Sequence, residues 1–283
     1  MSDHLKGILI VATGVAVLSP DALILRLLGL DPFTLLFWRG IGMAIVVAAI
    51  AWRISPPLRT LGKPLLLTGL LVSVLFSVSQ IAFVSGVAFT QAANVLVLVS
   101  ATPVFAAIAS RIILRERLKP RTMVAVVLGM IGVAITVFGS AGGPNAGDLI
   151  AALVPICLGL VFTLGRRFGP ENILPFFALS GIFSAIAGLL IGTPWSPEYS
   201  QFTLIVLLSF FVVPVSFTLI SIGPKFIPSA EVGLIMLVET ILGPLWIWLG
   251  IGEAPGLQAW IGGAILLVTL AVHSWLALRE ERM

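Results

Sequence analysis

Apolar positions run along this chain in long, nearly unbroken stretches, and short polar or Gly/Pro-bearing links separate them. Neither the strict alternation of a half-buried strand nor the narrow stripe of a surface helix is present. Ten stretches can be read, at about 5–27, 33–53, 64–89, 91–113, 121–139, 147–168, 173–192, 201–222, 228–251 and 256–278. Crossing about 30 Å of hydrocarbon takes roughly 20 apolar residues as a helix, because each backbone N–H and C=O must be satisfied within the segment. The pattern therefore predicts an all-α integral membrane protein with ten transmembrane helices.

Two of these stretches echo each other. Ala92–Arg117 reads AANVLVLVSATPVFAAIASRIILRER, and Ser229–Ala254 reads SAEVGLIMLVETILGPLWIWLGIGEA. Both open on small residues followed by a polar one (Asn94, Glu231), carry an internal proline (Pro103, Pro244) and close on a glutamate (Glu116, Glu253). The chain is thus predicted to be built twice, as residues 1–143 and 144–283, with the Gly-rich run Gly139–Gly147 as the joint. Five helices per copy is an odd number, so the second copy enters the membrane upside down. Inverted repeats of this kind are typical of secondary transporters that expose a central site alternately to each side.

Composition agrees with this pattern: of 283 residues, 59% are hydrophobic and 10% charged, with a net charge of +4. A soluble domain carries about 25% charged residues. The basic residues report topology. With the first residues inside, all but Arg26 and Arg39 of the 16 Lys and Arg fall at inner ends and loops, the run Arg111–Arg121 most densely. Both termini are expected on the cytoplasmic side, and the positive charge answers to anionic lipid, with no nucleic acid as partner. The single cysteine, Cys157, has no partner for an intramolecular disulfide and reads as a packing residue. Trp38, Trp52, Trp195, Trp260 and Trp275 fall near predicted interfaces, as a membrane aromatic belt requires.

Candidate chemistry is confined to polar residues inside the apolar stretches. Ser19-Pro20-Asp21 predicts a break near the outer end of the first helix, and Asp31-Pro32 marks the start of the second. Arg39 is the basic residue set deepest in the outer half, with Asp21 its nearest partner; it either closes an ion pair or meets a substrate carboxylate. Gln80 and Asn94 lie on adjacent helices at similar depth, so their amides can converge on a zwitterion or simply bond the helices together. Glu239, mid-helix, must face the interior, because a charge at that depth costs roughly 3 kcal/mol on insertion scales. Phe83 and Phe162 are candidates to stack on a ligand. Pro20, Pro103, Pro155, Pro214 and Pro244 are candidate helix breaks or gating points, paired as Pro20 with Pro155 and Pro103 with Pro244 across the halves. Two histidines far apart form no metal cluster, and neither a phosphate loop nor a nucleophile with a base is present, so an enzyme is disfavoured and no cofactor or nucleotide is expected.

The segments ATPVFAAIASRIILRER and LVETILGPLWIWLGIGEAPGLQAWIGG resemble the paired EamA repeats of the drug/metabolite transporter superfamily. The family's Pro-Val-Phe appears as Pro103-Val104-Phe105, whereas its Glu-Pro appears as Glu239-Thr240, with Pro244 further along. Within the superfamily, helix 9 is most similar to that of the YddG-type exporters. The resemblance implies ATP-independent export of amino acids, including aromatic ones, across a bacterial inner membrane, and one copy of the chain is expected to suffice. A multidrug or organic-cation exporter is the alternative, served by Glu239 and the aromatic residues.

Overall fold

The computed structural model describes residues 3–56, 61–115, 120–138, 145–223, 226 and 229–281. The regular structure of these residues is all helical, with no strand among them. In chain order the helices are α1 (Asp3–Leu18), α2 (Asp21–Leu28), α3 (Pro32–Ile54), α4 (Lys63–Phe89), α5 (Ala92–Val99), α6 (Thr102–Ala109), α7 (Pro120–Phe138), α8 (Ala146–Ala151), α9 (Leu153–Phe168), α10 (Pro170–Ile191), α11 (Phe202–Val206), α12 (Val213–Ile222), α13 (Ser229–Ile251) and α14 (Leu257–Glu281). Seven helical stretches are long and apolar enough to cross a membrane: Asp3–Leu28, Pro32–Ile54, Lys63–Phe89, Ala92–Leu114, Ala146–Gly165, Asn172–Ile191 and Tyr199–Ile222. The other three of the ten expected spans contribute shorter apolar runs among the described residues, Thr122–Phe138, Val238–Ile251 and Leu257–His273. The expected joint Gly139–Gly147 lies largely outside the described residues, as do Glu116, Arg117, Lys119 and Lys225.

Burial is arranged for a lipid solvent. Leu67, Leu190, Trp52, Trp195 and Leu249 stand exposed, while Ser73, Ser77, Ser79, Gln80, Asn94, Asp148, Ser180, Ser184 and Ser216 are buried. Between helices in lipid the hydrophobic effect supplies little, so close backbone approach and hydrogen bonds hold the bundle. Glycine makes the approach possible: a methyl group on Gly40 would lie 2.5 Å from both Ala185 N and the Gly181 carbonyl, so α3 and α10 touch backbone to backbone. Gly132 and Gly262 do the same for α7 and α14. Ser77 Oγ and Ser184 Oγ meet at 3.0 Å between α4 and α10, and Thr163 Oγ1 donates to the Ala106 carbonyl at 3.2 Å between α9 and α6.

The prolines act unequally. Pro20 lies in the turn between α1 and α2, and Pro103 sits in the first turn of α6 just after the break at Ser100–Ala101. The sixth stretch breaks at Ala152, three residues before Pro155. Pro214 follows a π-helical turn, Leu207–Val212, and opens α12. Pro244, in contrast, lies inside an uninterrupted α13. Asp31 caps α3 by accepting from Thr34 N at 2.8 Å, with Pro32 at the first helical position, as the sequence implies.

The packing order is specific. Helix α3 lies along α10 and α7 along α14; α1 packs on α12 and α13, and α9 on α4 and α6. Two short helices, α2 and α8, both pack against α4.

Candidate functional site

The break at Ser19–Pro20 starts α2 with Asp21 at its first turn and Arg26 at its last, and each end of this eight-residue helix is tied to a different polar cluster. At the first end Asp21 and Arg39 are almost fully buried, at 4% and 2% exposure. Arg39 Nη1 donates to Asp21 Oδ1, and Nη2 donates to Asp21 Oδ2 at 3.1 Å and to Gln80 Oε1 at 3.2 Å. The fork-on-carboxylate geometry suits a guanidinium held away from water. Arg39 Cζ also stands 5.7 Å from the Phe83 ring centroid, so Arg39, Gln80 and Phe83 form one constellation with Asp21.

Glu239 is half-buried on α13 and makes no hydrogen bond or ion pair among the described residues. Its helix packs against α2, the helix that Asp21 opens. Its helix is fastened to the same break, because Trp246 Nε1 donates to Ser19 Oγ at 3.0 Å. Asp21 and Arg39 cancel in charge, so Glu239 leaves this region one negative charge in excess when ionised. Such a region accepts a cationic group, either a proton or an ammonium.

Asn94 does not join Gln80, although the two lie at similar depth. It is 2% exposed and its Nδ2 donates to Asp148 Oδ1 at 3.1 Å. Thr90 Oγ1 donates to the same oxygen at 2.6 Å, Asn145 Nδ2 donates to Thr90 Oγ1 at 3.2 Å, and Asn145 Oδ1 accepts from Asp148 N at 2.8 Å. The reason is directional: depth along two helices says nothing of which face each side chain occupies. Arg26 adjoins this second cluster, with Nη2 donating to the Thr90 carbonyl at 2.5 Å and pairing with Glu253 Oε1 at 3.3 Å. Glu253 Oε1 also accepts from Ala92 N at 2.9 Å.

Asp148, Arg26 and Glu253 were not among the residues that sequence reasoning selected. The signal was present for Asp148, an ionisable residue inside a predicted span and three residues after a capping asparagine. Phe162 packs half-buried against the core and makes no ring contact among the described residues. A groove of about 310 Å³ between α3 and α10, lined by Phe37, Ile41, Ala44, Ile182, Ala185 and Leu189, carries no polar surface and stands apart from both clusters.

Comparison with known proteins adds three findings. Residues 5–138, ending with the last residue of α7, match the EamA-like transporter family. Sixteen solved chains match; one, titled only "Crystal structure of protein", is 22% identical, covers 98% of this chain and 99% of its own, and superposes with a TM-score of 0.69. At that identity the likeness concerns the fold. No curated protein matches the chain.

Proposed function

We propose that this chain is a secondary transporter of the drug/metabolite transporter type, moving small amphiphilic metabolites that carry an ammonium group, with amino acids foremost, by alternating access. The observation that carries the reading is the Asp21–Arg39–Gln80 cluster beside Phe83, at the break of a membrane helix against which the Glu239-bearing α13 packs. Broken helices meeting polar groups inside the bilayer are what a carrier site requires. The family match over residues 5–138 supports the same class.

Ten spans in two inverted repeats, residues 1–143 and 144–283, remain our reading of the architecture. The packing order supports it: number the helical rods one to ten, exchange each for the one five places on, and the pairings map onto one another. Rod one on rods eight and nine becomes rod six on rods three and four, while two with seven and five with ten are unchanged. The basic residues argue for both ends cytoplasmic, the resemblance to the YddG-type exporters argues for a bacterial inner membrane, and a single copy of the chain contains the whole cluster.

In this reading the substrate ammonium lies at Glu239, the carboxylate competes with Asp21 for Arg39, and Phe83 covers the site. A second reading, an organic-cation exporter, draws on one observation: Asp21 already occupies the Arg39 fork, leaving Glu239 as the group in want of a partner. Competition in proteoliposomes separates the two. Export of amino acids of the YddG type requires inhibition of labelled amino-acid flux by other amino acids and little by an organic cation; the reverse order favours the second reading.

A further inference from the structure

The second cluster contains two buried oxygens that no described protein group satisfies, Asp148 Oδ2 and Asn94 Oδ1. Asp148 is 0% exposed. The two oxygens belong to a carboxyl and an amide already joined once, through Asn94 Nδ2 and Asp148 Oδ1. A carboxylic acid and a primary amide pair through two bonds, N–H to carbonyl and O–H to carbonyl. Here the first bond exists, and the second requires one proton on Asp148 Oδ2 and its approach to Asn94 Oδ1.

We infer that Asp148 is a proton-binding site, its acid form paired with the Asn94 amide, and that this pair couples proton movement to the transport proposed above. The coupling rests on that functional reading; the binding site does not.

Charge and donor count favour a proton over a metal ion. Thr90 Oγ1 already donates to Asp148 and accepts from Asn145, and the Thr90 carbonyl holds Arg26. A hard metal ion takes about six oxygens, and the Arg26 guanidinium beside Thr90 would repel it. Around Asp148, α4 ends at Thr90, α5 presents Asn94, and Asn145 caps α8 itself; Arg26 of α2 is the nearby cation and it turns to Glu253. The charged residues of α9, Arg166 and Arg167, stand in its last turn, about 20 Å along the helix from Ala152 at the end next to α8. With Arg26 and Glu253 cancelling, an ionised Asp148 stands as an uncompensated buried charge, and protonation removes it. The proton passes from water to Oδ2 on the side that opens and returns to water when the acid and amide part.

Infrared difference spectroscopy on the purified protein tests the site without a substrate. In a Glu239→Gln background, the carbonyl stretch of a protonated carboxyl shielded from water is expected to appear on acidification and to be lost when Asp148→Asn is added. Asp148→Asn should fold, because an amide can keep both bonds to Asn94, and an unchanged melting temperature checks this. A band that survives the addition of Asp148→Asn to Glu239→Gln, or none in Glu239→Gln alone, overturns the proposal. So does a sodium-dependent rise in melting temperature at constant pH that Asp148→Asn abolishes, which assigns an alkali ion. In liposomes, uptake driven by a proton gradient should fall about tenfold relative to counterflow in Asp148→Asn; equal driving in variant and wild type refutes the coupling. Wild-type liposomes without counterflow would instead remove the transporter reading and leave the infrared result standing.

Discussion

Arg39 on α3 grips Asp21 across the break of the first membrane stretch with both terminal nitrogens, and spends the same fork on Gln80 of α4. One guanidinium thereby fixes the first turn of α2 to two other helices. Removing either partner of such a buried pair strands the other charge, at a cost of about 3–5 kcal/mol. Asp21→Asn and Arg39→Gln should each lower the unfolding midpoint in micelles by that order. The double variant should recover part of the loss, because no lone charge remains. Purely additive losses would mean that the two residues do not act on each other.

Arg26 and Glu253 make the corresponding tie at the other end of α2, and both are about a quarter exposed. Their ion pair is therefore worth no more than about 1 kcal/mol. Its effect should appear in accessibility more than in stability. With Cys157→Ser as background, a cysteine placed at Thr90 should react up to about fivefold faster with an impermeant maleimide when Arg26→Glu breaks the tie, since 1 kcal/mol is that factor. Adding Glu253→Arg should restore slow labelling.

Gly40 and Gly181 let α3 and α10 meet at backbone contact. Gly181→Val must push the helices apart or unwind one, and overpacking of this kind costs about 1–3 kcal/mol or more. Membrane-inserted yield and melting temperature should both fall, while Gly165→Ala, at a position with open space around it, should leave them unchanged.

Gln80 and Asn94 should separate in their effects. Gln80 holds Arg39 beside Phe83, so Gln80→Ala should reduce amino-acid flux more than it reduces stability. Asn94 serves Asp148, so Asn94→Ala should lower the melting temperature by leaving a buried carboxyl short of a donor, about 1–3 kcal/mol. Paired flux and melting curves on the same preparations distinguish these outcomes.

The helices were legible because lipid imposes one rule on every span, and the break at Pro20 because proline lacks the N–H that the rule needs. The Arg39–Asp21 pair was legible for a similar reason, since few charges lie at that depth and each must find its opposite. Two things were not. Gln80 and Asn94 looked convergent because depth can be counted along a sequence, whereas the face a side chain occupies depends on how helices rotate as they pack. The Asp148 cluster draws on residues as distant as Thr90, Asn94, Arg26 and Glu253, which only the bundle brings together. Pro244, read as a candidate helix break, sits in a helix that continues through it.

Glu239, which makes no hydrogen bond or ion pair among the described residues, is proposed to meet the ammonium group of a transported metabolite, and this is the assignment on which the account turns. The most direct measurement is counterflow of a labelled amino acid into liposomes containing the wild type or Glu239→Gln, with melting temperatures recorded for both. A charge-assisted bond is worth about 1.5–3 kcal/mol, so the expected result is robust wild-type counterflow and a fall of about ten- to hundredfold in the variant at unchanged melting temperature. Counterflow that is equal in the two would contradict the assignment of Glu239, and wild-type liposomes that behave as empty ones would contradict the transporter itself.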